Sequence, residues 1–287
     1  MRWTRGGRSS NLEDRRGASA GGGGFRMGGG GGGARIGVGG LALLLVLSLV
    51  FKRDLVTDVL GGGGPVSTAV PGDPAGGAIN DPAEEEMVLF VSNVLDSTQA
   101  TWSRLVQNYP EARLVLFRDA VESACGFAQS ATGPFYCPGD QRVYIDLGFF
   151  SQLDRQFGAP GDFAQAYVLA HEIGHHVQNV TGVERQVRAA QQQNPRAANQ
   201  LSVAMELQAD CYAGVWAFTA ARNGQLETGD LDEGLNAAAA VGDDRLQKMG
   251  GGRVNPESFT HGSSAERRTW FRRGFDSGDP RQCDTFR

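Results

Sequence analysis

The chain has 287 residues, a formal net charge of −5 and 42 glycines, enough length for one large domain with appendages. Residues 1–35 hold seven Arg against Glu13 and Asp14, a surplus of +5, so the rest must carry −10 to reach −5. An acidic main body argues against nucleic acid as its partner.

Residues 21–33 are almost entirely Gly (GGGGFRMGGGGGG) and cannot bury enough apolar area to offset chain entropy. Residues 1–35 are therefore predicted to form a disordered, Arg/Gly-rich tail. Ile36 to Phe51 (IGVGGLALLLVLSLVF) follows as sixteen residues without a charge, ending at Lys52 and Arg53. It is short for a membrane span but workable with snorkelling basic flanks, and no small-residue cleavage site follows it. The expectation is a single transmembrane anchor over 36–53, with the Arg-rich tail cytoplasmic and the rest extracytoplasmic. Residues 54–82, rich in Gly and Pro, read as a linker, and 83–287 as the folded domain.

Val88, Leu89, Val91, Val94 and Leu95, then Trp102, Leu105 and Val106, have helical spacing. Asp96 to Thr98 would cap a second helix, so two helices are predicted. Short β-branched or aromatic runs at Arg113–Phe117 and Gln141–Leu147 read as strands, with Val143 and Ile145 alternating against Arg142, Tyr144 and Asp146. An exposed edge on that second strand would accept an extended peptide by strand addition. Cys125 and Cys137 bracket a short Gly/Pro loop, and the preferred pairing is Cys125 with Cys137 and Cys211 with Cys283. No CxxC occurs, which argues against a structural zinc knuckle. A short helix is expected from Leu147 to Phe157, and Asp162 is placed to cap the next one.

That next helix carries Tyr167 to Gln178, YVLAHEIGHHVQ. Histidines at i and i+4 project from one helix face, so His171 and His175 form a two-point metal clamp. Glu172 lies about 100° round the helix, placed to act as a base on a metal-activated water rather than as a ligand. Three of the four histidines fall within six residues. His176 is rotated off the ligand face and reads as a polar surface or supporting residue. Val183 to Gln200 is polar and is expected to form a solvated excursion broken at Pro195.

A catalytic zinc needs a third protein ligand and an open position. Leu201 to Thr219 (LSVAMELQADCYAGVWAFT) is apolar but carries Glu206 and Asp210 at i and i+4. Two carboxylates on one face of a buried helix repel unless a cation lies opposite. Glu206 is assigned as third ligand and Asp210 as acceptor from the outer N–H of a ligating histidine, His171. The reverse assignment, with Asp210 on the metal, uses the same helix. One helix is predicted over Asp230 to Met249, ended by Gly250–Gly252, and another after Ser263 or Ser264.

HEIGH followed by ExxxD resembles the gluzincin arrangement. The HExxHxxGxxH extension is absent, with Gln178 and Thr181 at its Gly and last His positions. More narrowly, YCPGDQRVYIDLGFF, HEIGHHVQ, ELQADCYAGVWA and FTHGSSAERRTWFRRGFDSGDPRQCDTF resemble the neutral zinc metallopeptidase family of YpfJ-type membrane-anchored proteins. The resemblance covers most of residues 83–287. It implies a zincin-like α+β fold, mainly helical with a small β-sheet, one catalytic Zn2+ and a polypeptide substrate. By similarity to gluzincins, His261 would hydrogen-bond the oxygen that becomes negative in the reaction. Arg267 and Arg268 are candidates for orienting substrate. A surface or capping histidine and helix-surface arginines are the plainer alternatives. The predicted function is a membrane-anchored zinc metalloendopeptidase with Glu172 as general base. The alternatives are a zinc-binding envelope module without peptidase activity and a zinc hydrolase acting on a non-peptide bond.

Overall fold

The computed structural model describes residues 1–17 and 81–286. The chain is α+β, mainly helical, with a four-stranded and a two-stranded sheet. The apolar stretch 36–51 and the Gly-rich segments lie outside the described residues, and no described helix is long and apolar enough to cross a membrane.

The first element corrects the expectation of a wholly disordered tail. Leu12–Asp14 forms strand β1, paired in parallel with β2 (Arg113–Phe117) in the register Leu12↔Leu114 to Asp14↔Leu116. Sequence reading missed it because its charge and glycine content mask a three-residue pairing site whose partner lies about a hundred residues away. Helix α1 spans Pro82–Leu105, with Asp81 accepting from the Ala83 N–H as N-cap. It is one helix, not two. The hydroxyls of Ser92, Thr98, Thr101 and Ser103 bond to the carbonyl four residues back, while Asp96 accepts from Ser9 Oγ and Ser97 Oγ bonds Gln225 and Trp216, so none of the candidate caps starts a new helix.

Strand β2 pairs in parallel with β6 (Arg142–Asp146), and β5 (Phe135–Cys137) pairs antiparallel to β6, giving the order β1-β2-β6-β5. Alternation sets the two faces. Leu114, Leu116, Val143 and Ile145 join the main helical core, while Val115, Phe117 and Tyr144 pack on the other side with Val121 and Cys137. Val121 belongs to the hairpin β3 (Ala120–Ser123) and β4 (Gly126–Gln129). The strand read as an exposed edge, β6, is interior; the edge beside it is β5, which comes earlier in sequence.

Helices α2 (Gly148–Arg155), α3 (Asp162–Val180), α4 (Val183–Gln193) and α5 (Ala198–Arg222) follow. Asp162 does not cap α3. Gly161 holds the cap position at φ 111°, and the Phe163 N–H donates to Glu233 Oε2 at 3.1 Å. The span expected as one helix is α6 (Asp230–Ala240) and α7 (Asp243–Met249). The break falls at Gly242, where a Cβ would lie 2.4 Å from the Ser264 nitrogen, so the chain turns to let α8 (Ser264–Ser277) approach. Ser263 caps α8 in a capping box with Glu266.

Close helix crossings build the core. A Cβ on Gly214 would sit 2.1 Å from the Phe271 carbonyl oxygen, and one on Gly274 1.9 Å from that of Cys211. Helices α5 and α8 therefore meet backbone to backbone, with Trp102, Trp216 and Phe271 filling the space around them at full burial. Both disulfides form as paired in the sequence reading, Cys125–Cys137 and Cys211–Cys283.

Candidate metal centre

Helix α3 is buried on nearly every face, so His171 and His175 come from a fixed support. Gly174, between them, is the contact point with α5: a Cβ there would stand 3.0 Å from the Ala209 carbonyl oxygen. That close approach brings Glu206, one turn before Ala209, up to the imidazoles. His171 Nε2 lies 3.2 Å from Glu206 Oε2, and His175 Nε2 lies 3.5 Å from Glu206 Oε1. The three donor atoms all lie within 4.8 Å of one another.

These distances suit zinc. Zinc bonds of about 2.0–2.2 Å to nitrogen and oxygen in tetrahedral geometry give ligand–ligand edges of about 3.3–3.6 Å. The electrostatics point the same way. Burial opposes the Glu206 charge, yet the His175 and His171 imidazoles hold its carboxyl well below the usual range. Burial pushes His171 down, but the Asp210 and Glu206 carboxylates raise it to about 9. The donor set thus draws positive charge to its centre.

Each histidine has its outer nitrogen engaged, which fixes the tautomer that leaves Nε2 free. His171 Nδ1 is 2.9 Å from Asp210 Oδ1, and His175 Nδ1 is 2.9 Å from Gln178 Oε1. Gln178 is itself fixed, donating to the Met205 carbonyl at 2.7 Å and to Gln208 Oε1 at 3.1 Å. The sequence showed Gln178 only as a departure from an extended motif; its position three residues after His175 is the signal that pointed to this role. Asp210, fully buried, also accepts from Tyr167 Oη and from Arg267, whose Nε donates to Oδ2 at 2.8 Å and Nη2 to Oδ1 at 2.9 Å. Asp210 is thereby committed away from the donor atoms.

Arg267 corrects the expectation of a substrate-orienting or helix-surface arginine. It is buried, and its Nη2 reaches Tyr167 Oη at 3.2 Å and lies 3.9 Å from Glu206 Oε2. Arg268 is exposed. His176 is corrected as well: it is fully buried, between Tyr136 Oη at 3.0 Å from Nδ1 and the Pro110 carbonyl at 2.6 Å from Nε2. With Asn179 donating to Tyr136 Oη at 2.8 Å, it ties β5 to the metal helix.

Glu172 is buried, and its carboxylate makes no hydrogen bond or ion pair among the described residues. Burial raises its proton affinity, moderated by the charges of His175 and His171. His261 lies close enough to Glu206 for their charges to act on each other. Its Nδ1 is 3.1 Å from Asp243 Oδ1, while Asp243 Oδ2 accepts the backbone N–H groups of Thr260, His261 and Gly262 at 2.7, 2.7 and 3.0 Å. Asp243 therefore fixes both the loop and the ring. It was not singled out in the sequence because the helix break exposing it at the start of α7 was not legible.

The profile of the family described as "Putative neutral zinc metallopeptidase" matches residues 1–286. The protein named "Uncharacterized protein YpfJ" of Escherichia coli strain K12 is 49% identical over 291 residues, covering 100% of this chain and 99% of that protein. "Uncharacterized protein Rv2575" of Mycobacterium tuberculosis strain H37Rv is 48% identical over 202 residues, covering 67% of this chain and 68% of that protein. No solved structure matches this chain.

Proposed function

Because the chain belongs to the putative neutral zinc metallopeptidase family, we propose that it is a zinc-dependent endopeptidase whose ion is held by His171, His175 and Glu206. The observation that carries this reading is the spacing of the three donor atoms, with a buried carboxylate, Glu172, beside them that has no hydrogen bond or ion pair among the described residues. When bound there, zinc supplies a Lewis acid that polarises both a water molecule and the scissile carbonyl.

The chain's own residues supply the proton transfers and the charge complement. Glu172 accepts a proton from the attacking water and returns it to the leaving amine. Its burial favours the first transfer, because a carboxylate short of hydrogen bonds is a stronger base. His261, with Nδ1 taken by Asp243, offers Nε2 to the negative charge developing on the carbonyl oxygen. Asp210 and Gln178 hold the two imidazoles in their ligating tautomers, and Arg267 offsets the charge of Asp210. A polypeptide would lie extended along β5, the sheet edge tied to the metal helix through Tyr136, His176 and Asn179. A histidine-bearing helix beneath a sheet with an antiparallel edge strand, completed by a glutamate from a second helix, is what a zincin-like fold would present.

The test is incubation of the full chain with denatured casein, with and without 1,10-phenanthroline, followed by zinc add-back. The proposal expects cleavage that stops with chelator and returns with zinc. Zinc uptake with no cleavage would favour a zinc-binding module, and cleavage indifferent to the chelator would overturn the proposal.

A further inference from the structure

The N-terminal segment and the metal-site domain are one folded body. Strand β1 adds to the sheet beside β2, and two further bonds extend the pairing, from the Leu114 N–H to the Asn11 carbonyl at 2.9 Å and from the Arg15 N–H to the Leu116 carbonyl at 2.8 Å. Met1 is buried, and its amine lies 2.8 Å from Asp162 at the start of the metal helix. Trp3 packs edge-on against Phe90, and Ser9 Oγ donates to Asp96 at 2.6 Å.

Charge carries the same pattern. Four of the five arginines in residues 1–17 pair with a carboxylate of residues 81–286, and the fifth, Arg15, pairs within the segment. Arg5, Arg8 and Arg16 take Glu86, Glu85 and Glu84 respectively, so the segment runs antiparallel to the first turn of α1 and matches its acidic run one for one. Arg2 takes Glu227, and Arg15 takes Glu13, whose other oxygen is 3.3 Å from Arg142. The Arg16 side chain is 1% exposed. These arginines complement the acidic domain.

We infer that residues 1–17 and 81–286 lie on the same side of any membrane the chain meets, and that the apolar stretch between them does not act as a single crossing. A hydrocarbon layer about 30 Å thick cannot separate strands joined by hydrogen bonds about 3 Å long. Any crossings between residues 17 and 81 must therefore be even in number. This inference does not depend on the zinc assignment.

The test uses the full chain with one added cysteine at a time, G7C in the N-terminal segment or R253C in the domain. A Cβ at Gly7 meets nothing within 4 Å, and residue 253 is exposed. Expressing spheroplasts are treated with a membrane-impermeant maleimide before and after permeabilisation, with the unsubstituted chain as background. Both positions should react in the same condition, either both before or both only after permeabilisation. Reaction of one before permeabilisation and of the other only afterwards would overturn the inference.

Discussion

Asp210 Oδ1 lies 2.9 Å from Nδ1 of His171, while both oxygens of that carboxylate are held by Arg267. The His171 ring, whose Nε2 is the proposed zinc ligand, is thus oriented by a carboxylate that cannot rotate. Replacing Asp210 with Asn should weaken zinc binding about 10- to 100-fold, measured by chelator competition on the full chain. An unchanged affinity would mean that Asp210 does not orient the histidine.

Arg267 is the cation that makes this buried carboxylate tolerable. Arg267→Met should destabilise the fold by about 3–5 kcal/mol, since breaking a buried pair leaves an uncompensated charge. Urea unfolding is the measurement. A loss below about 1 kcal/mol would place the side chain outside the buried network.

His261 is assigned a charge-stabilising part. His261→Ala should lower kcat on a peptide substrate by about 10²- to 10³-fold and leave zinc content unchanged. Asp243→Asn should shift kcat in the same direction by freeing the ring. Loss of zinc in the His261 variant would count against the assignment.

Gly274 and Gly214 permit the α5–α8 crossing. Gly274→Ala places a methyl carbon 1.9 Å from the Cys211 carbonyl oxygen, which the backbone can relieve only by separating the helices. A loss of about 3 kcal/mol or more is expected, at or above the usual overpacking range, with a lower thermal midpoint as the readout.

Asp14 ties the N-terminal strand to acid stability. The Arg16 guanidinium, against the opposing effect of partial burial, lowers its carboxyl from 3.8 to about 2. A depressed folded-state value contributes stability above about 3.8, and this is lost as pH falls through about 2. The thermal midpoint of the unaltered chain should therefore exceed that of Asp14→Asn at pH 6, with the gap closing toward pH 2. A gap that stays constant across this range would show that the pairing carries no stability.

The parts of this site legible in the sequence are those whose geometry is local. His171 and His175 at i and i+4, Glu172 between them, and Glu206 four residues before Asp210 are fixed by helix periodicity alone. The strands at 113–117 and 142–146 were legible from alternation for the same reason. What was hidden depends on pairs distant in the chain: Arg267 with Asp210, Asp243 with His261, and Leu12 opposite Leu114. The split of α6 from α7 was hidden because it answers to Ser264, twenty-two residues beyond Gly242. The hydroxyl-rich centre of α1 read as a cap because sequence cannot show whether a Thr98 hydroxyl turns to its own helix or to a new one.

The most direct measurement is zinc content and casein cleavage compared between the unaltered chain and Glu172→Gln. The account predicts about one zinc per chain in both, with cleavage reduced to background in the variant alone. Joint loss of zinc and cleavage would make Glu172 a ligand, and undiminished cleavage by the variant would contradict its role as the base.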